Sequence, residues 1–175
     1  MVPAKQAFTE LLDISADVAE LARAEVLVVC SGAKSLLDVP ATAELLETLG
    51  VPVLGWRTDE LPLFYAARGG PPVSARVDTA QEAARIAEVH WELGRGTALV
   101  LARPPDPELD DVEPLIEEAL ARARREGVAG QAVTPYVLSY LHEHSGGRTL
   151  EVNRRLGSDN AALAAEVAVA YARLR

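Results

Sequence analysis

Lys34 is one of only two lysines in a chain of 175 residues; Lys5 is the other, and the remaining basic residues are arginines apart from three histidines. It ends the run Val26-Leu-Val-Val-Cys-Ser-Gly-Ala-Lys34. A short apolar, β-branched stretch stops at Cys30-Ser31-Gly32-Ala33, which reads as a buried strand emptying into a tight turn of small residues. In open α/β sheets, ligands sit at the carboxyl ends of strands. An amine placed there suits nucleophilic attack on a carbonyl, provided that desolvation or nearby positive potential favours its neutral form. The alternative is an ordinary solvated lysine. The spacing Gly-x-x-x-x-Gly-Lys-Ser/Thr is absent, and no Gly-x-Gly-x-x-Gly follows a strand, so phosphate-loop and dinucleotide readings fail.

Other residues admit both a chemical and a structural reading. Asp13 and Asp17 lie four apart, so on a helix they share a face and could hold a hard cation. With Ser15 between them they also read as a capping cluster. His142 and His144, two apart, point in different directions on a helix and make a poor metal pair. His90, beside Trp91, reads as a partly buried helix histidine. Cys30 is a small core residue or, with no histidine nearby in sequence, an unassisted nucleophile. Asp59 and Glu60, close to Phe64 and Tyr65, read as a pocket rim, a subunit contact or a surface loop.

Elements alternate along the chain. Strands are predicted over 25–30, 51–56, 74–77 and 97–102. Helices are predicted over 16–24, over 33–49 with an interruption at Pro40, and over 79–93. The 79–93 helix would be capped by Asp78, with Gln81 completing a capping box. Pro114 opens a helix to Glu126, and Thr134-Pro135 opens another to about Glu143. After the Gly146-Gly147 turn come a short helix over 150–156 and a final one over 160–174, capped by Ser158 or Asp159. Strands alternating with helices predict an α/β fold with a mainly parallel sheet, in one domain over 1–175. The formal net charge of −9 argues against nucleic acid or an anionic membrane as main partner. One cysteine excludes an intramolecular disulfide, and no apolar run reaches spanning length, so a cytoplasmic protein is expected.

Several strings, in order, resemble the pseudouridine-5'-phosphate glycosidase family, also called indigoidine synthase A-like. They are Asp13-Ile-Ser-Ala-Asp17, Val29-Cys-Ser-Gly-Ala-Lys-Ser-Leu-Leu-Asp38, Leu49-Gly-Val-Pro-Val53 and Gly55-Trp-Arg-Thr-Asp-Glu-Leu-Pro-Leu-Phe-Tyr65. Val133-Thr-Pro135, Gly146-Gly-Arg-Thr-Leu-Glu-Val-Asn153 and Asp159-Asn-Ala161 follow. The resemblance implies a three-layer α/β/α sandwich, with a mainly parallel or mixed sheet truncated at its N-terminal side, and a homotrimer. It implies reversible cleavage of the C–C bond between uracil and ribose 5-phosphate, with pseudouridine 5'-phosphate as substrate. Lys34 then matches the nucleophile that forms an imine with the ring-opened sugar. Asp13 matches the ligand of a divalent metal, typically Mn2+. Ser15, Ala16 and Asp17 match the stretch lining the substrate and the metal waters, and Asn153 and Asn160 match polar positions near the C-terminal end.

Two departures accompany the resemblance. The family's N-terminal portion, with its glutamate proton donor, has no counterpart here, so the chain reads as a C-terminal portion: a truncated gene product, a mis-started reading frame, or one half of a split enzyme that a separate N-terminal half would complete. A family Ala-Asn-Pro reads Ala102-Arg103-Pro104. The resemblance thus leaves a glycosidase-like protein or a catalytically incomplete, oligomeric or sugar-phosphate-binding module. An unrelated lysine-dependent aldolase is a third reading.

Overall fold

The computed structural model describes residues 17–109 and 111–175. Helix α1 (Asp17–Leu21) leads into β1 (Leu27–Cys30), followed by α2 (Val39–Thr48), β2 (Val53–Trp56) and β3 (Ala75–Val77). Then come α3 (Ala80–Glu92), β4 (Leu99–Ala102), α4 (Glu113–Arg125), a 3-10 turn (Gly130–Ala132), α5 (Val133–His144) and α6 (Arg148–Ala172). The strands order as β1-β4-β2-β3, and all three pairings are parallel. The chain therefore steps from β1 to β2, adds β3 outside, and returns to insert β4 in the middle. Leu27 pairs with Leu99, Cys30 with Ala102, Val53 with Val100 and Trp56 with Val77.

Parallel strands need both faces covered, because their connecting helices pack there. The side-chain alternation of period 2 sorts the residues. Leu54, Leu99 and Leu101 meet Ala83, Ala84 and Ala87 of α3 and Leu163, Val167 and Ala170 of α6. Val53, Ala98, Val100 and Ala102 meet Val18 of α1 and Val39 and Leu46 of α2. This gives the three α/β/α layers expected. A third cluster joins α4, α5 and the first half of α6, through Ile116, Ala119, Val137, Leu141, Val152 and Leu156. It reaches the sheet through Leu36 and Tyr65, which follow β1 and β2. Among the described residues no helix is long and apolar enough to cross a membrane.

Three local expectations change. Pro40 does not interrupt a helix: α2 begins at Val39, and Pro40 sits in its first turn, where its missing N–H has no intrahelical acceptor to lose. Asp38 caps it, accepting from the Ala41 N–H at 3.0 Å. In α3 the capping box is one residue later than predicted. Thr79 accepts from the Glu82 N–H at 3.2 Å, while the Glu82 carboxylate accepts from the N–H groups of Asp78 and Thr79 at 2.8 and 3.1 Å. Finally, the two C-terminal helices are one. Gly157 and Ser158 lie mid-helix in α6, and burial of Leu156 and Leu163 on one face outweighs the weak propensity of the pair.

Gly157 is exposed, and an added Cβ there meets nothing within 4 Å. Gly157→Ala is therefore expected to raise stability by about 0.5–1 kcal/mol. Urea denaturation with an unchanged m-value checks this; no gain would indicate a helix broken at that point.

Candidate functional site

The turn after β1 is built around a glycine. Gly32 has φ +85°, and a Cβ there would lie 1.8 Å from the Pro62 carbonyl oxygen. That approach lets the segment after β2 cross the end of β4 and join the turn after β1. The Ala33 N–H donates to the Pro62 carbonyl at 3.1 Å, and the Phe64 N–H donates to the Ser31 carbonyl at 3.1 Å. Phe64 itself has φ 72°. Its ring is thereby held 5.5 Å from Lys34 Nζ, and Tyr65 meets it edge-on at 4.9 Å.

Lys34 is half-buried and lines a cavity of about 470 Å³. Asp17, Cys30, Leu37, Phe64 and Val100 line the same cavity. The fold thus brings together Lys34 and Asp17, which lie on different elements. Asp13, Ser15 and Ala16 fall outside the described residues. Burial pushes the Cys30 thiol up, opposed by a backbone hydrogen bond from Gly32. That disfavours the thiolate a nucleophile needs.

Asn160 and Asn153 sit on α6, seven residues and so about two turns apart on one face. The Asn160 amide donates to Ser31 Oγ at 2.9 Å, and Ser31 is only 2% exposed. This ties α6 to the turn carrying Lys34. Burial raises the Tyr65 phenol, and Asn153 lies close enough to oppose that shift, though outside hydrogen-bonding geometry.

Arg103, at the end of the central strand β4, belongs to the same region. Its N–H donates to the Cys30 carbonyl at 2.8 Å, and its guanidinium pairs with Asp159 of α6 at 3.1 Å. Among the described residues, the buried side-chain polar atoms without a partner are Ser35 Oγ, Tyr65 OH, Arg103 Nη1, Asn153 Oδ1 and Asn160 Oδ1. Ser35, Tyr65 and Arg103 lie on the segments that leave the carboxyl ends of β1, β2 and β4, and the two asparagines on the helix bonded to them. Each such atom costs about 1–3 kcal/mol when left unpaired. Three of the five thus lie on segments that follow the carboxyl ends of strands, the edge at which ligands sit in open α/β sheets.

The other candidates are structural. Asp59 pairs with Arg76, and the Glu60 carboxylate accepts the Gly69 N–H at 2.8 Å, so both staple the loop after β2. His144 Nδ1 donates to the Tyr140 carbonyl and its ring stacks on Tyr140 at 3.8 Å. His90 bonds to Thr97. Tyr65 and Ser35 were not singled out as binding residues by sequence, although both lie on segments that follow a strand's carboxyl end.

Gly32→Ala is expected to cost roughly 1–3 kcal/mol through its left-handed backbone alone, and more through the Pro62 clash. Urea denaturation measures the loss. Cys30 is expected to alkylate with iodoacetamide at pH 8 more slowly than a free cysteine, its rate rising only at higher pH; mass spectrometry follows it.

A family profile described as "Indigoidine synthase A like protein" matches residues 4–170. A protein named pseudouridine-5'-phosphate glycosidase from Myxococcus xanthus is 49% identical over 169 residues, covering 94% of this chain and 56% of the relative. One of the same name from Methylobacterium nodulans is 48% identical over 166 residues, covering 92% and 49%. Among solved structures, the prealnumycin C-glycosynthase AlnA in complex with ribulose 5-phosphate aligns with a TM-score of 0.83 at 40% identity, over 91% of this chain and 54% of that one. An indigoidine synthase A-like protein from Thermotoga maritima aligns at 0.79 and 37% identity, over 92% and 54%. The chain spans about half the length of the curated relatives it matches.

Proposed function

Because the chain belongs to the indigoidine synthase A-like family, we propose that it carries the lysine side of a pseudouridine-5'-phosphate glycosidase site. The proposed reaction is reversible cleavage of the C–C bond between uracil and ribose 5-phosphate. The carrying observation is the position of Lys34, in the turn that follows β1, on a cavity it shares with Asp17; unpartnered buried polar atoms on Ser35 and, through the Asn160–Ser31 hydrogen bond, on α6 lie on segments joined to that turn. Asn153 Oδ1 and Asn160 Oδ1 offer acceptors, Arg103 Nη1 a donor, and Ser35 and Tyr65 hydroxyls that serve as either. A polyhydroxylated, anionic ligand complements that set.

Cleaving a C-glycoside directly would expel a poor carbon leaving group. In the proposed path the lone pair of the Lys34 nitrogen bonds to the anomeric carbon, the ring C–O bond breaks, the nitrogen gives up a proton and so regains a lone pair, and the ring oxygen takes a proton. The nitrogen lone pair then forms C=N as the bond to uracil breaks. That bond's electrons pass to the uracil carbon, which takes a proton. Water hydrolyses the imine, releasing ribose 5-phosphate and the free amine. Covalent catalysis divides one hard step into easier ones. Protonation at the ring oxygen and at the base calls for a general acid, worth roughly 10²–10⁴-fold. We assign that acid to the part of the family fold outside the matched span.

Asp13 would hold the divalent ion, taken as Mn2+, with Ser15, Ala16 and Asp17 beside it; bound there, the ion would supply ordered water and positive charge near the sugar phosphate. Among the described residues no group of three or more His, Cys, Asp or Glu converges, so that part of the chain supplies no complete donor set. No step above runs through the ion. A homotrimer is proposed on the family resemblance alone.

A second reading is an oligomeric or sugar-phosphate-binding module without turnover, since the unpartnered polar atoms can bind a sugar phosphate without any covalent step. Incubation with ribose 5-phosphate and borohydride is expected to leave a covalent adduct on the wild type and none on Lys34→Ala, read by mass spectrometry. An equal adduct on both would remove Lys34 from the mechanism. Release of uracil from pseudouridine 5'-phosphate by the pure chain would exclude the non-catalytic reading.

A further inference from the structure

We infer that Arg103 is the anion-reading residue of this site, with its free guanidinium nitrogen taking an anionic oxygen, phosphate or carboxylate, of a polyhydroxylated ligand. The inference rests on reading the carboxyl end of the sheet as a sugar-binding site, and it names what selects the ligand's charge.

Arg103 differs from the other arginines in ion pairs. Its side chain is 19% exposed, whereas theirs are 43% exposed or more. It stands at the end of the fully buried central strand. Pro104 and Pro105 follow it, which limits the backbone freedom of that exit. The guanidinium is only partly satisfied: Nη2 reaches Asp159 at 3.1 Å, while Nη1 is buried without a partner. A buried charged donor left unpaired costs more than a neutral one. An acceptor supplied by a ligand removes that cost.

The local charge points the same way. Asp159 lies between two guanidiniums, Arg103 at 3.1 Å and Arg155 at 3.9 Å. One carboxylate facing two cations leaves a positive charge over. The planar guanidinium also suits two-point recognition of phosphate or carboxylate. On the helix that carries Asp159, Asn160 Oδ1 and Asn153 Oδ1 also lack donors, which sugar hydroxyls supply. Asp159 is then a positioning residue: it holds one edge of the guanidinium and leaves the other for the ligand.

The test uses ligands that cannot form an imine, so it does not depend on Lys34 chemistry. Binding of ribitol 5-phosphate, ribonate and neutral ribitol is measured by calorimetry for the wild type, Arg103→Gln and Arg103→Lys. The wild type is expected to bind at least one anion tenfold or more tighter than ribitol, and the preferred one identifies phosphate or carboxylate as the source. Arg103→Gln is expected to lose that preference with ribitol binding unchanged, and Arg103→Lys to recover part of it. No preference in the wild type, or equal weakening of all three ligands by Arg103→Gln, would overturn the inference. Should Arg103→Gln not fold, the Arg103 Nε–H signal of the wild type decides by NMR. It is expected to move on titration with the anion and not with ribitol; an unmoved signal overturns the inference. Loss of borohydride trapping with the anion preference intact would instead remove the covalent reading alone.

Discussion

Gly32 and Pro62 touch where no side chain fits between them. The chain after β1 needs a left-handed residue there, and the carbonyl of Pro62 fills the space a Cβ would take. From this one approach follow the Ala33–Pro62 and Phe64–Ser31 backbone hydrogen bonds, and with them the meeting of Phe64 and Lys34. Ser31 is fixed in turn, and Asn160 reaches it from α6. The lysine's surroundings are thus assembled from β1, the segment after β2, and a distant helix, all referred to one backbone contact.

The same end of the sheet concentrates unpaired polarity. Elsewhere among the described residues, buried side-chain groups found partners: Thr42 Oγ1 donates to the Asp38 carbonyl at 2.7 Å, and Ser145 and Thr149 bond each other at 3.1 Å. Polar groups that serve the fold are closed on one another, while those past the strand ends are held open by packing that is otherwise complete. The third hydrophobic cluster does the holding, since Leu36 and Tyr65 anchor the two crossing segments in it.

Sequence disclosed what is local. The β-branched run before Cys30, the small-residue turn and the isolated lysine were legible because a strand and its exit are written in consecutive residues. The register of α3's cap was ambiguous, because Asp78-to-Gln81 and Thr79-to-Glu82 both satisfy the same spacing. The structure selects the second, in which the Glu82 carboxylate takes two N–H groups. Gly157-Ser158 looked like a break because propensity is local, whereas the burial of Leu156 and Leu163 that keeps the helix whole is tertiary. Splitting the helix also hid the shared face of Asn153 and Asn160. The Arg103–Asp159 pair joins residues far apart in sequence and carries no pattern that spacing could expose. Asp13, Ser15 and Ala16 remain readings of sequence.

The continuity of α6 has a mechanical consequence. Its 25 residues extend roughly 37 Å at about 1.5 Å per residue. Asn153 and Asn160 lie in its first half, and Leu163, Val167 and Ala170, which grip the sheet, in its second. The helix runs unbroken from one group to the other, through Gly157 and Ser158. The asparagines cannot swing toward an incoming molecule without either dragging the anchored half through a close-packed interior or rupturing backbone hydrogen bonds between the groups. The helix acts as a rigid spar, so this wall of the site is set when the protein folds, and accommodation is left to the loops that face it.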